Sequence, residues 1–149
     1  MLTNEQRQTI DSAVEILASL YRITDLMVTS PEHVKIFCQL EIGHLEHEVF
    51  GVLFLDNRHR LIKFTEMFRG TINGTAVYPR EVVKEALNCN AAAVIFTHNH
   101  PSGMVEASEA DKRLTERLQG AFGYFDIRVL DHIIVSHAST NSFAQSGLL

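Results

Sequence analysis

The feature that most restricts the fold of this chain is a short apolar run, residues 91–96, which is followed at once by Thr-His-Asn-His-Pro-Ser-Gly. The length and β-branched content of this run predict a buried strand. Side chains two positions apart on a strand share a face, so His98 and His100 can point at one site while Asn99 points away. Residues 101–103 then end the strand and turn the chain.

A carboxylate follows this strand after a short loop. The segment Ser-Glu-Ala-Asp at 108–111 opens a predicted helix, with Asp111 in its first turn. Two neutral imidazoles and one carboxylate, with a fourth position left for water, are typical of a catalytic zinc site, whereas structural zinc sites usually have four protein ligands. Each element also has an ordinary explanation, because His-x-His pairs occur by chance and Ser108-x-x-Asp111 fits a helix capping box. Their combination beside a buried strand predicts one zinc ion per chain, bound by His98, His100 and Asp111.

The spacing of these residues resembles the JAMM motif of the JAB, or MPN-plus, metalloproteases. The similarity lies in His98-x-His100-Pro101 followed by Ser108 and Asp111. The longer string His-Asn-His-Pro-Ser-Gly, together with Leu-Asp-His-Ile-Ile-Val at 130–135, resembles the RadC branch of that superfamily. The resemblance extends from about Thr29 to Val135. It implies an α/β fold of the JAB/MPN (cytidine-deaminase-like) type, with a mixed central β-sheet flanked by helices, and it implies metallopeptidase chemistry.

A hydrolytic zinc site also needs a base for the water molecule, and a carboxylate is the usual choice. Glu41, Glu46, Glu48 and Glu66 are the candidates. Glu48 directly precedes an apolar strand that contains a glycine, which resembles the glutamate-led strand of the JAMM pattern. The resemblance therefore implies that Glu48 takes a proton from water and delivers it to the leaving amine. The ordinary alternative is a solvated charge at the start of a strand.

Three further residues have two interpretations each. Ser108, at the junction of loop and helix, can serve only as an N-cap, or it can also donate a hydrogen bond to the oxyanion of the reacting carbonyl. Asp131 and His132 point to opposite faces of a predicted strand. One of them can orient His98 or His100 through the free ring nitrogen, or the pair can be a buried histidine beside a solvated aspartate.

Length and composition predict one globular unit. The chain has 149 residues, of which 46% are hydrophobic and 21% are charged, so it can bury a substantial core. We divide it into an N-terminal helical extension, residues 1–28, and a RadC-like JAB/MPN domain, residues 29–149. RadC-type chains usually carry a helix-hairpin-helix segment ahead of the metal domain, and 28 residues are too few for one.

Charge and hydropathy restrict the partners. The net charge is −5 and the isoelectric point is near 5.9, so there is no basic surplus for direct binding to nucleic acid. No apolar stretch approaches the roughly 20 residues that span a bilayer, and the N-terminus does not have the basic-then-apolar order of a signal peptide. We therefore expect a cytoplasmic protein that does not bind membranes.

Periodicity predicts alternating helices and strands. The predicted helices cover residues 4–21, 30–43, 78–88 and 108–122, and the predicted strands cover 49–56, 61–68, 91–96 and 127–136. Residues 137–149 are mostly polar and small, which indicates a mobile end or a partner contact. Cys38 and Cys89 lie in predicted helices and have no Cys-x-x-Cys spacing, so we expect neither a disulfide nor a thiolate ligand.

These features predict a zinc-dependent hydrolase of amide bonds, a JAMM-type metallopeptidase that acts on a peptide or protein substrate. The alternative is a zinc-containing interaction module that is associated with DNA repair or maintenance and has no peptidase turnover. A nuclease is chemically reasonable, but the acidic isoelectric point argues against it. A homo-oligomer is compatible with the sequence.

Overall fold

A computed structural model describes residues 2–23, 30–71 and 74–149. Four helices and five strands are found in these residues: α1 (Asn4–Ile23), α2 (Pro31–Ile42), β1 (Val49–Leu55), β2 (Leu61–Arg69), α3 (Pro79–Asn88), β3 (Ala93–Asn99), α4 (Glu109–Gly123), β4 (Arg128–Val135) and β5 (Thr140–Ser142). No helix in these ranges combines the length and hydropathy of a membrane span. The predicted boundary after residue 28 falls at 24–29, outside the described residues.

The strands form one mixed sheet in the order β2-β1-β3-β4-β5. β1 pairs antiparallel with both β2 and β3, β3 pairs parallel with β4, and β5 returns antiparallel to β4. Helix α4 makes the crossover between the parallel strands, as parallel pairing requires. The predicted α/β fold with a mixed central sheet is confirmed.

Two hydrophobic layers cover the two faces of the sheet. On one face α2 packs against β1, β3 and β4 through Phe37, Cys38 and Ile42, with side chains of α1 at the margin. On the other face α3 and α4 pack against Phe50, Phe96 and their neighbours. Strands β1 and β3 are buried along their whole length, which places the sheet between two helical layers.

The glycine in β1 has a packing reason. A Cβ atom on Gly51 would lie 2.7 Å from the ring of Phe64 on β2, closer than non-bonded carbons approach. Phe64 in turn packs edge-to-face on Phe37 of α2, with 5.6 Å between ring centroids. Glycine at position 51 therefore allows an aromatic side chain to cross the strand that begins directly after Glu48.

The two cysteines have different positions. Cys38 lies in α2 as predicted and is fully buried, whereas Cys89 is the residue just beyond α3 and is half-buried. The helical placement of Cys89 is therefore wrong by one residue, because Asn88 is the last residue of α3. Burial raises the pKa of the Cys38 thiol to about 12, so this thiol stays protonated at neutral pH.

The C-terminal segment is ordered, and the prediction of a mobile end is wrong. β5 extends the sheet, and the ring of Phe143 is fully buried. The Asp131 carboxylate accepts hydrogen bonds from the Ser142 hydroxyl at 2.5 Å and from the Ala144 amide at 3.0 Å. One aromatic residue and one buried acceptor on another strand hold a segment whose own composition is mostly polar.

Candidate metal centre

Strand β3 carries both histidines to one end of the sheet. His98 lies within the strand, beside Phe50 of β1 and Ile134 of β4. His100 lies one residue past the end of β3 at Asn99, and its amide still donates to the carbonyl of Val135 at 2.9 Å. Because the ladder continues, the two imidazoles remain on the same face, and their Nε2 atoms are 2.9 Å apart.

A tight turn fixes the ring of His100. The Gly103 amide donates to the carbonyl of His100 at 3.0 Å, and Gly103 has φ +88°, a conformation that glycine adopts without strain. The turn brings the carbonyl oxygen of Met104 to 2.7 Å from Nδ1 of His100. A carbonyl can only accept, so Nδ1 of His100 carries the hydrogen, and in the neutral ring Nε2 presents its lone pair to the site.

The first turn of α4 supplies the carboxylate. The Ser108 hydroxyl accepts from the Asp111 amide at 3.0 Å, and the Ser108 amide donates to Oδ2 of Asp111 at 2.8 Å, which is the predicted capping box. The capped carboxylate lies 3.2 Å from Nε2 of His98 and 3.4 Å from Nε2 of His100. The ligand atoms of His98, His100 and Asp111 all lie within 4.8 Å of one another, so this cluster can bind a metal ion.

The electrostatics of the cluster favour a positive charge between the three side chains. Burial opposes ionisation of Asp111, but the neighbouring imidazoles of His100 and His98 outweigh burial and hold the pKa of Asp111 below the usual range. The hydrogen bond with Asp111 raises the pKa of His100 against the effect of burial. Acceptor atoms that converge in this way repel one another unless a proton or a metal cation lies between them.

Glu48 lies in the same cleft, directly before β1. A cavity of about 580 Å³ is lined by Glu48, His100, Ser108 and Asp111, and a smaller one beside it is lined by Glu48, His98 and Asp111. Burial raises the pKa of Glu48 above its usual range, although His98 and His100 act in the opposite direction. Among the other candidate bases, Glu41, Glu46 and Glu66 line neither cavity.

Asn99 positions the backbone on both sides of Glu48. Its side chain points to the face opposite the histidines, as predicted, and there Oδ1 accepts from the amide of Val49 at 2.7 Å. Its Nδ2 atom donates to the carbonyl of His47 at 2.9 Å and to that of Leu45 at 3.3 Å. Sequence reasoning gave Asn99 no role, and its position between the two histidines is the only signal that the pattern contains.

The residues Asp131 and His132 separate as their alternation on β4 predicts. His132 is fully buried, and its Nε2 lies 2.8 Å from Nδ1 of His98. Burial lowers the pKa of His132 well below its usual range, so the ring is neutral. Asp131 is on the other face and, besides the C-terminal segment, binds the amide of His132 at 2.7 Å. His132 therefore contacts the candidate metal cluster, whereas Asp131 binds the C-terminal segment.

Thr115 is a further residue at the site that sequence reasoning missed. It lies one turn after Asp111 on α4 and is buried. Its hydroxyl is 2.6 Å from Nδ1 of His132 and donates to the carbonyl of Asp111 at 2.8 Å. The only signal in the sequence is a threonine on the inner face of an amphipathic helix, where an apolar residue is usual.

Comparison with known proteins agrees with this geometry. Residues 28–148 match the RadC-like JAB domain family. A UPF0758 protein of Vibrio cholerae is 51% identical over 144 residues, which cover 97% of this chain and 90% of that relative. A UPF0758 protein of Marinobacter nauticus is 58% identical over 120 residues, and one of Haemophilus influenzae is 54% identical over 123 residues. The matched regions cover 54% and 56% of those two relatives, so the chain matches about half of their length. The extent of the family match and the identity to these relatives show that the chain belongs to the RadC-like JAB domain family.

Proposed function

We propose that this protein is a zinc-dependent hydrolase of amide bonds, a JAMM-type metallopeptidase with a peptide or protein substrate. The observation that carries the proposal is the shared cleft of His98, His100 and Asp111 with the carboxylate of Glu48. A site that only holds structure has no need of a second, half-buried carboxylate beside its three metal donors.

The spacing of the donors fits zinc. Tetrahedral ligands at about 2.0–2.1 Å from zinc are separated from one another by about 3.3 Å. The Nε2 atoms of His98 and His100 are 2.9 Å apart, Nε2 of His98 lies 3.2 Å from Oδ1 of Asp111, and Nε2 of His100 lies 3.4 Å from Oδ2 of the same carboxylate. Two imidazole nitrogens and one carboxylate oxygen are also a donor set that zinc enzymes use.

The donor set leaves room for water. Within the described residues, the cluster of potential metal ligands comprises three side chains, whereas closed structural sites have four. Zinc, when bound, acts as a Lewis acid and brings the pKa of its water to about 7. The adjoining cavity of about 580 Å³ gives a substrate access to this position.

Glu48 is the base in this proposal. Its raised pKa is closer to neutrality than that of a solvated glutamate, which favours both accepting a proton and returning it. Glu48 takes the proton from the attacking water and transfers it to the nitrogen of the leaving amine. Asn99 holds the backbone at Val49 and His47 and thereby keeps Glu48 at the edge of the cleft.

Ser108 supplies a hydrogen-bond donor. Its oxygen accepts the amide of Asp111, and no donation by its hydroxyl hydrogen is seen among the residues that the structure describes. Ser108 is exposed at the cleft. The hydroxyl can therefore cap α4 and donate to the carbonyl oxygen as it becomes negative.

The test is cleavage of a peptide library by zinc-loaded protein, followed by mass spectrometry. We predict that the wild type cleaves and that Glu48→Gln retains zinc but loses activity by at least about a hundredfold, because the amide cannot accept the proton. Glu66→Gln is the matched control, since Glu66 is exposed on β2 and should leave turnover unchanged.

Two results would contradict the proposal. An active Glu48→Gln protein with an inactive Glu66→Gln protein would place the base elsewhere. A zinc-loaded wild type that cleaves no peptide in the library would reject the peptidase and favour the interaction module.

A further inference from the structure

We propose that His132 and Thr115 are positioning residues that fix the tautomer of His98, so that its bare Nε2 faces the metal position. This inference rests on the metal site of the proposed function and does not require peptide hydrolysis. Its basis is a chain of hydrogen bonds through three elements, from the carbonyl of Asp111 to the hydroxyl of Thr115, the ring of His132 and the ring of His98. The three successive distances are 2.8, 2.6 and 2.8 Å.

The direction of these hydrogen bonds is fixed at the carbonyl of Asp111. The carbonyl oxygen of Asp111 can only accept, so the single hydroxyl hydrogen of Thr115 is donated to it. The Thr115 oxygen can then only accept from Nδ1 of His132, and that nitrogen must carry the hydrogen. All the participating side chains are buried, with exposed fractions of 1% for Thr115, 0% for His132 and 5% for His98. Water therefore does not offer alternative partners.

The tautomer of His132 determines that of His98. A neutral imidazole with its hydrogen on Nδ1 has a bare Nε2, which accepts from Nδ1 of His98. In the neutral ring of His98, Nε2 is then bare as well. This atom lies 3.2 Å from the carboxylate of Asp111 and 2.9 Å from Nε2 of His100. The lone pair is thus directed at the metal position before any ion arrives.

The surroundings hold the ring of His132 in this orientation. Phe143 stacks on it with 4.7 Å between centroids and 27° between ring planes, and Phe50 and Phe96 contact it edge-on. Metal-binding histidines commonly donate their second nitrogen to a carboxylate or a carbonyl. Here the partner of His98 is a histidine, and a neutral imidazole can carry its hydrogen on either nitrogen. Thr115 is therefore needed to set which nitrogen of His132 accepts.

The test is Thr115→Val, which keeps the shape of the side chain and removes the hydroxyl. His132 then has no acceptor for its Nδ1 hydrogen, and the opposite tautomer, which donates from Nε2 to His98, becomes favourable. That tautomer moves the hydrogen of His98 to Nε2 and blocks the metal position. Thr115→Ser should keep the wild-type arrangement.

Thr97→Val is the matched control. Thr97 is also buried, and its hydroxyl donates to the carbonyl of Ile133 at 2.8 Å. The substitution therefore removes a comparable buried hydrogen bond next to His98 in sequence but on the opposite face of β3. Any loss that comes only from reduced stability should appear equally in Thr97→Val.

Two measurements decide the outcome. Nitrogen-15 NMR of the metal-free proteins should show His98 with its hydrogen on Nδ1 in the wild type, Thr115→Ser and Thr97→Val, and on Nε2 in Thr115→Val. Competition with a chelator should show a loss of zinc affinity of about 10- to 100-fold in Thr115→Val, and wild-type affinity in the other two variants.

The proposal is overturned if His98 of the wild type carries its hydrogen on Nε2, or if Thr115→Val keeps both the wild-type tautomer and the wild-type zinc affinity. If Thr115→Val does not fold, the wild-type NMR spectrum decides. Absence of peptide cleavage would count against the proposed function alone, because neither measurement depends on turnover.

Discussion

At the scale of single residues, Asp111 both closes a helix cap and lies in the candidate metal cluster. Its Oδ2 atom accepts from the amide of Ser108 and thereby closes the capping box of α4. The same interaction orients the carboxylate so that Oδ1 lies 3.2 Å from His98. A carboxylate that is held in one rotamer by a helix cap loses little further freedom when it binds an ion.

The substitution of Ser108 separates capping from chemistry. Ser108→Ala should lower the free energy of unfolding by about 1 kcal/mol, and Ser108→Asp, another good cap, should restore it. If Ser108 donates to the oxyanion, both variants should have a lower kcat with little change in KM, because the interaction forms only in the transition state. Chemical denaturation and steady-state kinetics measure the two effects.

We expect Ser108→Asp to fold, to bind zinc and to be nearly inactive. An ionised aspartate cannot donate a hydrogen bond, and its negative charge repels the negative charge of the oxyanion. A fully active Ser108→Asp protein would reduce the role of Ser108 to that of a helix cap.

At the scale of elements, β3 uses its two faces to place two parts of the site. One face carries His98 and leads to His100. On the other face Asn99 binds the connector between α2 and β1, residues 43–48, through Leu45 and His47, and it also binds Val49 at the start of β1. This connector carries Glu48. The spacing between the candidate metal donors and Glu48 therefore depends on one strand, and a shift of that strand would displace both.

Asn99→Ala tests this arrangement. The Val49 amide is buried and would lose its acceptor, at a cost of about 1–3 kcal/mol in the free energy of unfolding. We predict that zinc remains bound and that kcat falls by up to about a hundredfold, the effect of a displacement near 1 Å in a catalytic group. Metal analysis and kinetics of the same preparation measure both quantities.

Gln39→Ala provides the comparison for Asn99→Ala. The side-chain amide of Gln39 donates to the carbonyl of Ser136 at 2.9 Å, away from residues 45–49. Its removal should affect stability but leave kcat unchanged. Wild-type kcat in Asn99→Ala would show that the connector does not need this support.

At the scale of the whole molecule, the sequence predicts what is local and misses what packing brings together. The His-x-His pair and Asp111 are close in sequence, and the apolar run of β3 and the capping box of α4 are strong local signals. The contact of His132 with His98, by contrast, joins residues 34 positions apart. No local pattern specifies which of two alternating residues on β4 faces the cluster.

The C-terminal segment shows the same limit. Its composition predicts a mobile end, yet Phe143 fills the space beside His132, and Asp131 binds Ser142 and Ala144. Both interactions depend on β4, which precedes the segment in sequence. A polar segment is ordered here because its few anchoring groups meet buried partners, and composition alone does not contain that information.

The most direct test of the central claim is zinc-edge anomalous diffraction from crystals of the zinc-loaded protein. We predict one zinc ion per chain, bonded to Nε2 of His98, Nε2 of His100 and the carboxylate of Asp111 at about 2.0–2.2 Å, with its fourth position free of protein ligands and open to the Glu48 cleft. His98→Ala should show no peak at this position. A zinc ion elsewhere, a fourth protein ligand that closes the site, or full occupancy in His98→Ala would contradict the account.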